Sequence, residues 1–258
     1  MKKIFSLQII SILFIAITTI TSCSRDKNEP NNTKQLLSDE QIAKIGILHN
    51  EYLEKVFSDF DWNNQNLILE LKDKFNELSD KKVLGIKIET NHINKIQKDY
   101  VTEADNDIKL KNFLGDNYSY IQRIKDLEKD LFLMKNEDVN PIINSIIKQA
   151  KNEIKDAKQL TVILVFAEVF KKSNEFWTSK DANFTSGQNI LAKAKQKNIY
   201  RKSPSKGEKI LAADATGAAG ALIGGALFAN ADAVIAPPVF FGRVAFSAAW
   251  ASGVAALF

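Results

Sequence analysis

Between residues 38 and 177 apolar positions recur every three or four residues, the period of one helical face. Ile42, Ile45, Leu48, Tyr52 (or His49 at the same turn), Leu53 and Val56 form the first stripe. Ser38-Asp39-Glu40-Gln41 stands just ahead of it and reads as a capping box, with Ser38 the N-cap and Gln41 reaching back. Leu67, Ile68, Leu71, Phe75 and Leu78 make a second stripe, and Tyr118, Ile121, Ile124, Leu127 and Leu131 another. Pro141 falls where a missing N–H does least harm, at the start of a helix continuing through Ile142, Ile143, Ile146, Ile147, Ala150, Ile154 and Ala157. Residues 160–170 are apolar almost all round, as in a helix buried on every side. The run Val83-Leu84-Gly85-Ile86-Lys87-Ile88 fits either a strand or a bent connection. No internal repeat is visible. The expected class is all-α, a helical bundle over 38–177 with enough length to bury its own core.

The pattern changes abruptly at residue 210. From there to 258 only Asp214, Asp232 and Arg243 are charged, and Ala, Gly, Val and Phe dominate. Small residues recur at fourfold spacing, as Ala212, Thr216, Gly220 and Gly224, with Ala213, Gly217, Ala221 and Gly225 beside them. After Pro237-Pro238 the pattern returns around Gly242 and through Ala245, Ala249 and Gly253. Ridges of small residues let helix backbones approach closely, the favoured packing mode in lipid. Segments 210–231 and 239–258 each have about the length that crosses a bilayer as helix, with 230–238 as the turn of a hairpin. Gly217, Gly220, Gly224, Gly225, Gly242 and Gly253 are therefore candidate insertion or packing positions. The region resembles glycine-zipper segments, including the hydrophobic segments of pore-forming bacteriocins and related contact-dependent toxins. That resemblance implies insertion into, or assembly at, a membrane. The competing reading is a small-residue helix pair folded against the bundle, which the three charges favour.

At the other end, Met1-Lys2-Lys3 precedes an uncharged apolar run ending in Ile20-Thr21-Ser22-Cys23. A basic start, an apolar core and small residues before a cut form a secretory signal. The Ile-Thr-Ser-Cys tetrad resembles the lipobox of bacterial lipoproteins. By that resemblance residues 1–22 are removed, Cys23 takes a diacylglycerol thioether, and residues 23–37 tether the protein to membrane lipid. An uncleaved membrane anchor with a chance cysteine is the alternative. Ser24-Arg25, with no aspartate after the cysteine, matches the sorting pattern of outer-membrane lipoproteins. The Lys/Asn/Ile-rich style, and Ile45-Gly46-Ile47-Leu48-His49-Asn50, resemble uncharacterised lipoproteins of the Bacteroidetes, a group with no activity to carry over.

Charge refines this division. The 258 residues hold 35 Lys+Arg and 31 Asp+Glu. Residues 178–209, however, carry 8 basic and only 2 acidic side chains and read as a basic linker. Lys193, Lys195, Lys197, Arg201, Lys202, Lys206 and Lys209 suit contact with anionic lipid headgroups, against a plain solvated linker as the other reading. Little aromatic interleaving and an exported address argue against nucleic acid. One cysteine excludes an intramolecular disulfide framework and a cysteine-based zinc cluster. The two histidines, His49 and His92, belong to no spaced ligand motif. His49 lies beside an apolar stripe, where a core or hydrogen-bonding role is expected, a hydrolase pairing it with a carboxylate being the distant alternative. Asp105/Asp107 and Glu137/Asp138 fit helix-end electrostatics. No catalytic, cofactor or metal site is expected. The sequence points to a non-enzymatic envelope lipoprotein, either membrane-inserting through its hairpin or a binding module in which the hairpin is packed.

Overall fold

The computed structural model describes residues 36–78, 81–98, 103–131, 139–179, 187–196, 210–223 and 238–257. Among them 85% are helical and none forms a strand, an all-α fold. In chain order the helices are α1 (Asp39–Ser58), α2 (Leu67–Glu77), α3 (Thr90–Lys98), α4 (Glu103–Leu114), α5 (Tyr118–Leu131), α6 (Asn140–Glu153), α7 (Ala157–Thr178), α8 (Gly187–Gln196), α9 (Ile210–Ile223) and α10 (Pro238–Leu257).

Local chemistry sets the boundaries. Ser38 and Gln41 cap α1 reciprocally, Gln41 N–H donating to Ser38 Oγ (3.2 Å) and Ser38 N–H to Gln41 Oε1 (2.8 Å). Asn66 caps α2 through its Oδ1, which accepts from Leu69 N–H at 3.0 Å. The stripe expected to run unbroken through Ile154 and Ala157 is instead divided. Ile154 turns extended, and Asp156 opens α7 by accepting from Lys158 N–H (2.8 Å) and Gln159 N–H (3.0 Å). The 83–88 run is a bent connection: Val83 and Ile86 exchange both backbone hydrogen bonds at 2.9 Å around Leu84 (φ 48°) and Gly85 (φ 79°).

Four helices make the centre. α9 packs on α10 and α7, α1 packs on α7, and α10 packs back on α1, so the four close a ring. α7 is buried on nearly every side from Leu160 to Phe170, as its apolar circumference requires. α2 and α3 flank α10, α4 and α5 flank α9, and α6 covers α7. α8 lies inside the segment expected to be a basic linker. It packs on α7 and α10, burying Gly187, Ile190 and Ala194. The two small-residue helices thus form half of the central ring, not an appendage to a finished bundle.

Candidate functional site: a buried polar cluster

At the middle of this ring, Asp214 of α9 is fully buried. Its Oδ2 accepts from Ser173 Oγ–H and, at 3.3 Å, from Trp177 Nε1–H, both on α7. His49 of α1 brings Nε2 to 3.2 Å from the same oxygen, at ion-pair distance without hydrogen-bond alignment. Trp177 Nε1–H also donates to Ser252 of α10 at 3.0 Å. One cluster therefore takes a group from each central helix, and the His49–Asp214 contact joins helices on opposite sides of the ring. The ring is held in orientation by Asn50, whose Oδ1 lies 2.8 Å from His49 Nδ1 while its Nδ2 donates to the Lys172 carbonyl at 2.9 Å. Asp214 Oδ1 and Thr216 Oγ1 are buried without a hydrogen-bond partner among the described residues.

A serine, a histidine and an aspartate in contact invite comparison with a catalytic relay. Activation of a hydroxyl needs its proton to pass to an adjacent base that a third group orients. Here the Ser173 hydroxyl donates to the carboxylate rather than to His49, and all three side chains are fully buried. The geometry is that of a buried core network centred on Asp214 Oδ2, which takes the donors of Ser173 and Trp177.

A second buried carboxylate grips the same helix. Glu128 of α5 accepts from Leu211 N–H (2.8 Å) and Ala212 N–H (3.1 Å), capping the N-terminus of α9 across the fold. Its signal in the sequence is its place four residues after Ile124, on a buried stripe. The signal for the central cluster is a lone acid in an apolar helix, Asp214, together with a histidine beside an apolar face.

The glycines singled out in the sequence do not share one seam. Gly217 meets α10, where an added Cβ would lie 3.0 Å from Ala251 Cβ and 3.1 Å from the Ser247 carbonyl. Gly220 faces Asn106 of α4, Gly242 faces Ile86 and Tyr52, and Gly253 faces Leu71 of α2. Each admits a different neighbour. Lys193 of α8 sits 6.0 Å above the Trp62 ring. His92 and Lys195 lie on α3 and α8, their side chains outside the described residues. Cys23, Lys197, Arg201, Lys202, Lys206, Lys209, Gly224, Gly225, Glu137, Asp138 and Asp232 lie outside the described residues altogether.

Asp59, Asp61, Asn63 and Glu70 have the 1-3-5-12 spacing of a calcium-binding helix–loop–helix, between α1 and α2. The loop is closed on itself, Glu70 accepting from Asp61 N–H (3.1 Å) and Asn64 Nδ2 (2.9 Å). Asn64 stands where the motif has glycine, with no positive φ. No group of three metal-ligating acids or histidines converges among the described residues.

No family model, curated protein or solved structure matches this chain.

Proposed function

We propose that this chain is a non-enzymatic cell-envelope lipoprotein, held on membrane lipid by an acylated Cys23, whose helical domain is a binding module with the small-residue hairpin as part of its own centre. The observation that carries the hairpin's part is the burial of Asp214, bonded from α7 and paired with α1. A carboxylate with three such neighbours is matched to a protein interior and not to lipid. The address rests on the residues leading to Cys23.

Deleting residues 207–258 tests this reading. Without α9 and α10 the central ring is open along two sides, and 38–177 is expected to lose its cooperative thermal unfolding, followed by circular dichroism. A truncated chain that melts as sharply as the full one would overturn it.

A second reading has one observation of its own. Residues 240–257 of α10 are long and apolar enough to cross a membrane, although 72% of that stretch is buried in the fold. In this reading the hairpin leaves the ring to insert or self-associate at an anionic membrane, with the basic segment beside it. The described part of α9, at about 1.5 Å per residue, covers only ~21 Å.

A further inference from the structure

We infer that the Asp214 cluster is an autoinhibitory latch, which keeps a lipid-capable helix pair inside the bundle and off a phospholipid bilayer. The inference rests on the second reading above, that the pair can leave the ring. Asp214 is the one charged residue of α9. Moving it into lipid would carry a bare carboxylate into hydrocarbon, where acidic side chains are among the least tolerated. The same departure would strip His49, Ser173 and Trp177, all buried, of their shared oxygen. Both ends of the transfer are penalised by the same contact. Glu128 adds a hold on the helix backbone, since α9 must give up that carboxylate to slide out. The rest of α9 opposes departure far less, because its apolar surface would be as well covered by acyl chains as by α7 and α10.

The latch is specific to charge at residue 214, and that separates it from general loosening. The mature chain with Cys23→Ser is floated with vesicles of equal parts phosphatidylethanolamine and phosphatidylglycerol, in three further variants. Asp214→Asn removes the charge with little change of shape and is expected to raise the lipid partition coefficient at least about tenfold over the otherwise unchanged chain. Ser173→Ala weakens the hold while preserving the charge, and is expected to move partition in the same direction by less. It also keeps the question open should Asp214→Asn aggregate. Ile146→Ala opens a cavity on α6, away from the cluster, and is expected to leave partition unchanged. Hydrogen exchange of the α9 amides is read on each variant. If α9 exchanges faster in Asp214→Asn yet nothing floats, the pair has no affinity for lipid and the underlying reading fails with the latch. If α9 exchanges at the same rate and nothing floats, the latch alone is overturned. Equal flotation of Ile146→Ala would likewise overturn it, by showing that any loosening suffices.

Discussion

Asp107 on α4 shows how a single residue ties local charge to stability. Burial pushes its carboxyl up, but hydrogen bonds from Tyr118, Lys111 and Lys125, with the Lys125 charge, outweigh burial and hold it below the usual aspartate range. A carboxylate depressed in the folded state stabilises above its unfolded pKa, and that contribution disappears as pH falls through the folded value. Acid unfolding below about pH 4 is therefore expected to depend partly on this residue, and Asp107→Asn should flatten the pH dependence of the melting temperature there. Leu84 is a residue in the opposite position, held at φ 48° with its side chain half exposed. The left-handed region disfavours leucine and tolerates asparagine. Leu84→Asn is expected to raise stability by about 0.5–1 kcal/mol in urea unfolding, and a loss would mean that Leu84 contributes packing its exposure conceals. The sequence placed Asp107 in a helix-end acid pair and Leu84 in a strand or bend, but φ and long-range partners are settled only by the fold. His49 was legible as a core histidine from its stripe. Its partner, Asp214, lies on a segment whose composition suited lipid as well as a packed helix pair.

For helices, legibility needed an apolar stripe sustained over three turns or more. α1, α2, α5 and α6 stand in the sequence because each has one apolar stripe and three of them have a cap or proline at the start. α3 and α8 each have an apolar face but span only 9 and 10 residues, and α4 has almost no apolar periodicity along its 12, so tertiary contacts hold it. α9 and α10 were legible as helices, but the choice between lipid and packing on the bundle stayed open, since apolar residues all round suit lipid and a protein centre equally. Their packing is open to test at Gly217, where an added Cβ would meet backbone atoms of α10. Gly217→Leu would drive a bulky side chain onto the Ser247 carbonyl and the Ala248 Cα. It is expected to cost about 3 kcal/mol or more in chemical unfolding, at or above the upper end of the ordinary overpacking range. Gly46→Ala is the useful contrast. Its added Cβ meets side chains and no backbone, 2.7 Å from Lys172 Cγ and 3.4 Å from Glu168 Cγ, so a smaller loss than at Gly217 is expected in the same unfolding measurement.

At the scale of the whole molecule, the sequence suggested a bundle, a linker and a hairpin in series, whereas the structure interleaves them. α8 of the basic segment packs on α7 and α10, and the hairpin closes the ring that α1 and α7 begin. Linear composition could not show this, because a compositional border marks a change of environment and not a change of domain. The polar cluster contributes specificity as much as stability. Apolar helices of small residues could settle in several rotations about their axes, but only one brings Asp214 to Ser173, Trp177 and His49 together.

That His49 and Asp214 face one another across the ring has a kinetic consequence. Their helices stand near opposite ends of the described chain, with seven other helices between them. The centre is thus dominated by contacts of high sequence separation, whose loop-closure entropy must be met before any of them stabilises the fold. While the polypeptide grows, α1 and α7 can pack on each other, but the faces that meet α9 and α10 stay uncovered until those helices have been made. The nascent domain cannot complete its core piecemeal, and its sticky surfaces need shelter through most of synthesis.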